Sequence, residues 1–471
     1  MSTIHYLSPI HFKRNCYLSV CDPENFMHLC SRVNRYSHGK YINIFNYTTM
    51  KISNNLKNSL FKATFYSALF LTLGGLASCD SDLDNKYYSD AEPIFLELTA
   101  KIETDNSFAL DLFKTTYQFS DAPNVFVSPL SVNMALSMTL NGAAGETLEE
   151  MKEALRAKSY SLDNINTYNK SLREALLKVD PTTTLSIANS IWYRNTFTAK
   201  QSFISVNKNY YNAEVKALDF NAPNAVKQIN DWVSDKTRKK IPAIIDEISA
   251  ETMVYLINAI YFKGVWKSKF NKSNTVDENF YSEDRVSMSK VKMMKQRASF
   301  LYTEDENCRY LKMPYGNGAF SMIVLLPQDD RTVDDVITNL DNKSWNNAMR
   351  MDSYEVNLHL PRFSTECKYE MENSILPAMG MEIPFSDYAD FSGMADGILL
   401  KISKVIHKTF VDVNEDGAEA AAVTAVGIDN MMAAPPPGTV IDYVVNKPFA
   451  FAICENSTGI ILFIGKIVDV R

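Results

Sequence analysis

The stretch Glu-Asp-Gly-Ala-Glu-Ala-Ala-Ala-Val-Thr-Ala-Val, residues 415–426, decides how the rest of the chain is interpreted. It follows a run rich in β-branched residues, 405–413, and precedes a proline-rich segment, 433–438. Read with the two-residue period of a strand, one face carries small, uncharged side chains. These are Ala418, Ala420, Ala422, Thr424 and Val426. A strand with such a face can enter between two existing strands without a steric clash or an unpaired charge.

An alanine-rich helix is the competing interpretation of this stretch, because alanine is the best helix former and glutamate is a good one. Three β-branched residues, Val423, Thr424 and Val426, favour the strand. The neighbouring sequence favours it as well, because it contains further segments of one family pattern.

The stretch resembles the hinge of the reactive-centre loop of the serpins. The hinge residues of that pattern are Glu415, Gly417, Ala418, Glu419, Ala420, Ala421 and Ala422. The resemblance implies an exposed loop that is bait for a protease and that inserts into the central sheet as a new strand after cleavage. Gly417 is expected to be the pivot, because glycine tolerates the change in backbone angles that a hinge requires.

Segments along most of the chain resemble serpin motifs, in the family's order and spacing. They include Asn124-Val-Phe-Val-Ser-Pro-Leu-Ser131, Ile229-Asn-Asp-Trp-Val233, Leu256-Ile-Asn-Ala-Ile-Tyr-Phe-Lys-Gly-Val-Trp266, Leu360-Pro-Arg-Phe363, Asp390-Phe-Ser-Gly-Met394, Asn446-Lys-Pro-Phe449 and Leu462-Phe-Ile-Gly-Lys-Ile-Val468. The resemblance covers roughly residues 92–471, which would form one serpin domain. It implies an α+β fold with three β-sheets, about nine helices and an exposed reactive-centre loop.

The resemblance also assigns gating roles to polar and aromatic residues outside the hinge. Ser128, Ser131, Asn258 and His407 correspond to the family's shutter, a hydrogen-bonded cluster beneath the place where two strands must separate. Trp266 corresponds to the breach, at the end of the sheet where insertion begins. A plain core tryptophan is the alternative interpretation of Trp266, and both roles are compatible.

The position of the scissile bond follows from counting along the family pattern. With Glu415 as the seventeenth residue before the cut, the reactive bond joins Met431 to Met432. Asn430 and Ala433 are rival sites, because the segment that follows the bond is longer than is usual in the family.

Neither the motifs nor the composition indicates an enzyme. Residues 92–471 contain two histidines, His359 and His407, and no Gly-x-Ser-x-Gly element accompanies either. The chain has no GxGxxG, Walker A, HExxH or paired CxxC motif. A net charge of −7 gives no indication of nucleic-acid binding. Cys308, Cys367 and Cys454 are too few and too sparse for a disulfide framework. We therefore expect no catalytic residues, cofactor or metal.

The first 91 residues have the features of an export signal preceded by an unrelated segment. Residues 50–78 contain a basic start and a short apolar run, as in a secretory signal peptide. They end in Leu-Ala-Ser before Cys79, which resembles a bacterial lipobox with Cys79 as the acylated residue. Residues 79–91 would form a flexible stalk. Residues 1–49 match nothing that follows, and we interpret them as a non-native upstream extension, with translation starting at Met50; a genuine cytosolic extension is the alternative.

The function that the resemblance implies is suicide inhibition of serine endopeptidases with elastase-, chymotrypsin- or subtilisin-like specificity. The target protease would be held as a covalent acyl complex, and papain-like cysteine proteases are possible secondary targets. A non-inhibitory serpin that acts as a binding protein or chaperone is the alternative, although such members usually lack the small-residue hinge. A monomer is expected, anchored through its lipid in the cell envelope, with the outer membrane surface favoured by the acidic run 80–84.

Overall fold

The computed structural model describes residues 91–418 and 440–470. Within them the chain forms nine α-helices and fifteen strands. The helices are α1 (Thr99–Gln118), α2 (Pro129–Leu140), α3 (Gly145–Ala154), α4 (Leu162–Leu176), α5 (Gln201–Tyr211), α6 (Ala225–Lys236), α7 (Val333–Asn339), α8 (Asn342–Ala348) and α9 (Ile375–Ala378). The expected α+β class and the expected number of helices are confirmed for these residues.

The strands occupy two hydrogen-bonded sheets. In chain order they are β1 (Val125–Val127), β2 (Thr184–Arg194), β3 (Glu214–Leu218), β4 (Val254–Val265), β5 (Val276–Tyr281), β6 (Met288–Glu304), β7 (Cys308–Pro314), β8 (Phe320–Pro327), β9 (Asp352–Pro361), β10 (Phe363–Glu370), β11 (Lys404–Asn414), β12 (Gly417–Ala418), β13 (Val440–Val444), β14 (Phe449–Glu455) and β15 (Ile461–Ile467).

The six-stranded sheet has the order β10-β11-β12-β4-β2-β3. Its centre is the antiparallel pair of β2 and β4, in register from Thr184 opposite Lys263 to Tyr193 opposite Val254. Strand β4 is buried along almost its whole length. A nearly continuous apolar sequence is what a strand covered on both faces requires, and β4 therefore lies at the centre of the sheet.

The nine-stranded sheet has the order β1-β15-β14-β8-β7-β6-β9-β13, with β5 paired to β6 outside this path. The long strand β6 pairs with β5 through its first residues and with β7 through its last. The resemblance implied three sheets. Two of them are joined through β6, so their strands form one hydrogen-bonded sheet.

Helix α2 lies between the two sheets and packs against β4 on one side and β15 on the other. Every residue of α2 is buried, as is expected for a helix without a charged face. The Ser128 side chain caps its first turn by accepting from the Ser131 amide, and Pro129 occupies the first helical position. Among the described residues no helix is long and apolar enough to cross a membrane.

Candidate functional site

The hinge begins inside the six-stranded sheet. Gly417 and Ala418 form β12, which pairs antiparallel with β11 on one side and with β4 on the other. Gly417 has φ +145°, and a Cβ added there would lie 2.0 Å from the carbonyl oxygen of Gly264. Only glycine meets both the backbone angle and the space at this position. The first two residues of the hinge are thus already a strand wedged between β11 and β4.

Beyond this wedge the two flanking strands separate. At the far end of the sheet, Lys404–Ile406 of β11 pairs in parallel with Tyr255–Ile257 of β4. Between that pairing and β12, Asn258–Lys263 and His407–Asp412 are not paired with each other in the described part of the chain. Six residues on each strand therefore have sheet-forming backbone groups facing a common gap, ~20 Å long at ~3.3 Å per residue.

Glu415 is the buried anchor of the hinge. Its side chain is 2% exposed, and Oε1 accepts from Thr275 Oγ1 at 2.5 Å and from Arg362 Nε at 2.7 Å. Burial acts to raise the pKa of Glu415, but the bonds from Arg362 and Thr275 outweigh burial and hold the pKa below its ordinary value. The carboxylate is therefore charged at neutral pH and keeps the hinge in place.

The neighbouring Asp416 faces a second group of cations. Its carboxylate lies 2.9 Å from Lys272 Nζ and 3.7 Å from Lys269 Nζ. The backbone around it is also held, because the Trp266 amide donates to the Asp416 carbonyl and the Phe270 amide donates to the Glu415 carbonyl. The start of the hinge is thus tied to residues 266–275 by charge and by backbone hydrogen bonds.

Trp266 closes the end of the sheet at the hinge. Its indole Nε1 donates to the Asn414 carbonyl at 2.8 Å, and its ring stacks on Tyr315 with a centroid distance of 4.3 Å. Tyr315 in turn packs on Gly264, where an added Cβ would lie 2.7 Å from the tyrosine Cγ. The stacked pair therefore covers the point on β4 where the hinge strand pairs, and the indole holds the end of β11.

A polar network lies beneath the gap between β11 and β4. His407 Nε2 accepts from the Ser128 amide at 2.9 Å, and Ser128 Oγ donates to the Leu462 carbonyl at 2.7 Å. Ser131 Oγ donates to the Asn258 side chain, which donates to that of Asn189. The structure thus brings the four shutter residues of the sequence analysis to one place, on α2, β4 and β11.

His407 is neutral in this network. Burial lowers the pKa of His407 to about 3. Because Nε2 accepts a hydrogen bond, the neutral ring carries its proton on Nδ1. The residue acts as a hydrogen-bond acceptor for the Ser128 amide.

His359 and the three cysteines are the other candidate residues that the sequence analysis considered in the domain. His359 is on β9, and its Nδ1 lies 3.3 Å from Glu278. Cys308, Cys367 and Cys454 are buried and free. In residues 91–418 and 440–470, no group of three or more histidine, cysteine, aspartate or glutamate side chains is arranged to hold a metal.

Several predicted residues lie outside the described part of the chain. They are Glu419, Ala420, Ala421 and Ala422 of the hinge, the reactive pair Met431 and Met432, and Cys79. Conversely, the structure adds Thr275, Arg362, Tyr315 and Asn189, to which the sequence analysis gave no role. The one available signal for Asn189 was an amide within the strand sequence Ile-Ala-Asn-Ser-Ile, residues 187–191.

Comparisons with known proteins agree with this geometry. The family model described as serpin (serine protease inhibitor) matches residues 103–470. Human Serpin B3 is 36% identical over 388 residues, covering 77% of this chain and 98% of the relative. Leukocyte elastase inhibitor A of Rattus norvegicus is 35% identical over 374 residues, covering 76% of this chain and 97% of the relative.

Solved structures agree as well. The native thermophilic serpin tengpin superposes with a TM-score of 0.72 at 32% identity, covering 82% of this chain and 98% of that one. Thyroxine-binding globulin in complex with thyroxine superposes with a TM-score of 0.70 at 28% identity, covering 79% of this chain and 99% of that one. The chain therefore belongs to the serpin family of serine protease inhibitors and is not an enzyme.

Proposed function

We propose that this serpin inhibits serine endopeptidases of elastase-, chymotrypsin- or subtilisin-like specificity by loop cleavage and insertion. The observation that supports this most strongly is the position of the hinge strand β12. It lies at one end of the gap along which β11 and β4 are not paired with each other. The residues that follow, 419–426, continue with one small glutamate-bearing face and one uncharged face. The pattern of side chains in this segment suits a strand that enters the gap.

The covalent step takes place on the protease. Its serine oxygen attacks the Met431 carbonyl carbon, and its histidine takes the serine proton. The bond from Met431 to Met432 then breaks, and the histidine transfers that proton to the leaving amino group of Met432. The protease remains joined to Met431 as an acyl ester, and the loop has lost one of its two attachments.

Insertion then follows from the geometry of the sheet. Residues 419–431 number thirteen, and as a strand they would span ~43 Å at ~3.3 Å each. This is about twice the length of the gap, so full insertion must also separate Lys404–Ile406 from Tyr255–Ile257. About a dozen new backbone hydrogen bonds at ~1 kcal/mol each contribute on the order of 10 kcal/mol. The shutter network must exchange partners as the strand passes His407 and Asn258. The movement carries the protease with it and distorts its catalytic site, so that the acyl ester is hydrolysed slowly.

The specificity rests on the residue at the cut. Methionine at 431 suits a shallow apolar pocket, and no lysine or arginine lies between Glu415 and Lys447 to suit a trypsin-like one. The leukocyte elastase inhibitors among the relatives support an elastase-like target. Papain-like cysteine proteases are proposed as secondary targets, because they also form acyl intermediates.

The test is incubation with leukocyte elastase, chymotrypsin and subtilisin, followed by denaturing electrophoresis and intact mass. We expect an SDS-stable complex with the mass of inhibitor plus protease, less a peptide that begins at Met432. A peptide that begins at Asn430 or at Ala433 would move the reactive bond without removing the mechanism. Cleavage of the loop by all three proteases with no covalent complex would refute inhibition.

A non-inhibitory binding protein or chaperone remains the alternative, because a complex of thyroxine-binding globulin with thyroxine has a similar fold. The two functions differ in what cleavage does to stability. An inhibitory loop inserts and should raise the temperature of unfolding by tens of degrees. A loop that does not insert should leave it unchanged. Thermal unfolding of intact and loop-cleaved protein, followed by circular dichroism, separates the two.

For location, we propose a lipid-anchored monomer exported through the signal 50–78 and held in the cell envelope by acylated Cys79. Several acyl chains together give stable anchoring where one alone is marginal. Replacing Cys79 with alanine should release the protein, and protease shaving of intact cells should remove the wild type if it faces outward. Translation from Met50 is tested by the intact mass of unprocessed precursor, since a precursor that retains residues before Met50 would disprove it.

A further inference from the structure

Asp180 is a buried carboxylate in the loop between α4 and β2. Its side chain is 3% exposed. It accepts from the Thr182 amide at 2.9 Å, from Thr182 Oγ1 at 2.7 Å and from Thr183 Oγ1 at 2.6 Å. No ion pair to Asp180 is formed by the residues that the structure describes. The side chain is thus held by neutral donors alone, and such a buried polar group costs free energy wherever its hydrogen bonds are incomplete.

The Asp180 loop fits against the turn between β7 and β8. The Asn317 amide donates to Asp180 Oδ2 at 3.4 Å, and the Asn317 side chain donates to the Val179 carbonyl at 2.9 Å. Gly316 has φ +49°, and a Cβ added there would lie 2.2 Å from Asp180 Oδ2. No larger residue at position 316 would leave room for the carboxylate, so the two segments match each other in shape.

The same turn supports the breach. Tyr315, which stacks on Trp266, comes directly before Gly316, and the Gly316 amide donates to the Val265 carbonyl at 2.8 Å. Val265 pairs with Gly417 of the hinge. Asp180 therefore contacts a turn that is bonded to Val265, the β4 residue that pairs with Gly417 of the hinge.

The Asp180 loop also leads directly into the part of the sheet that must move. Thr184, the first residue of β2, pairs with Lys263 of β4 at the open gap. Widening the gap displaces β4 relative to β11, and β2 must move with β4 because the two are paired along ten residues. On the other side of the gap, β11 is held to β1 by the bond from Thr409 Oγ1 to the Phe126 carbonyl, at 2.7 Å.

We propose that Asp180 is a positioning residue that ties the β2–β4 half of the sheet to the β7–β8 turn and thereby limits the rate of hinge insertion. This inference rests on the proposed insertion mechanism and deepens it. The tie restrains spontaneous opening of the gap while the loop is intact. These contacts break when the cleaved loop forms new backbone hydrogen bonds in the gap.

The experiment measures insertion without a protease. A synthetic peptide with the sequence of residues 418–430 is added to the whole native protein, and its incorporation is followed by native electrophoresis and by the fluorescence change of the stacked Trp266. We expect insertion about tenfold faster in Asp180→Ala, equivalent to ~1.4 kcal/mol. A smaller increase, about threefold, is expected in Asp180→Asn, which keeps an acceptor for Thr182 and Thr183.

A matched control separates the tie from general loss of stability. Asp305 accepts from the Asn307 and Cys308 amides at 2.8 and 2.9 Å, in the turn at the opposite end of β7. Asp305 is exposed and also accepts from the Tyr310 hydroxyl at 2.9 Å, so Asp305→Ala removes three hydrogen bonds without touching the breach. It should lower the unfolding temperature while leaving the insertion rate at the wild-type value.

The outcomes are decisive in both directions. Wild-type insertion rates in both Asp180 variants would overturn the inference, as would equal acceleration by Asp305→Ala. If Asp180→Ala does not fold, Asn317→Ala removes the bond to Val179 and should accelerate insertion in the same sense; a wild-type rate there and in Asp180→Asn refutes the tie. Absence of any protease complex together with accelerated peptide insertion would instead refute the proposed function and leave the tie standing.

Discussion

Acidification should weaken this protein through His407. Burial lowers the pKa of His407 to about 3, whereas an unfolded histidine titrates near 6.5. The neutral ring accepts the Ser128 amide at the gate. Protonation would replace this acceptor by a donor and leave an unpaired charge in the core.

Proton linkage gives the direction and the size of the change in stability that His407 causes as the pH falls. Between pH 6.5 and 3 the unfolded chain binds more protons than the folded one, so stability falls as pH falls. The contribution of His407 is fully present above pH 6.5 and is lost at ~1.4 kcal/mol per pH unit below it. Lowering the pH from 6.5 to 5.0 should therefore cost ~2 kcal/mol. The pKa of Glu415 is held below its ordinary value of 4.5. The stability that Glu415 contributes is therefore fully present above pH 4.5 and is lost only as the pH falls below it.

The assay is urea unfolding at several values between pH 5.0 and 8.0, for wild type and His407→Gln. Glutamine can accept from the Ser128 amide but does not titrate, so the variant should lose less stability between pH 6.5 and 5.0 than the wild type, by ~2 kcal/mol. His359 is present in both proteins and cancels from the difference. Parallel pH profiles for the two proteins would refute the buried neutral histidine.

The hinge supports three further predictions. Ala418→Arg places a charge on the buried face of β12, so the loop should still be cleaved while the acyl complex hydrolyses, which electrophoresis would reveal as conversion of inhibitor to substrate; undiminished complex would contradict the insertion mechanism. Gly417→Ala brings a Cβ 2.0 Å from the Gly264 carbonyl oxygen, and it should cost about 2–4 kcal/mol and raise the number of inhibitor molecules consumed per protease; an unchanged ratio would argue against the wedge. Glu415→Gln keeps the Thr275 bond but loses the charge opposite Arg362, and calorimetry should show a loss of stability of about 1–2 kcal/mol, or ~2–4 °C. If the double variant Arg362→Met, Glu415→Gln loses as much stability as the two single variants added together, the two side chains are not coupled.

Local sequence was sufficient for the family, the α+β class and the approximate number of helices. Small side chains at alternate positions of the hinge, a proline after a capping serine at the start of α2, and the continuous apolar run of β4 are all readable without partners. Each of these three features depends on backbone preferences that act over only a few neighbouring residues. The number of hydrogen-bonded sheets was not readable in this way, because it depends on β6 pairing with strands on both sides.

The sequence by itself predicted that residues 415–426 can become a strand. The tertiary structure decided that Gly417 and Ala418 already form one, and what holds it. Glu415 meets Arg362 across 53 residues of sequence and Thr275 across 140. Gly417 is confined by a carbonyl of β4 more than a hundred residues earlier in the chain. Asp180 meets the turn beneath the breach across 137 residues. Such contacts leave no periodic pattern in the sequence, because they depend on how separate elements pack rather than on the preference of any one segment.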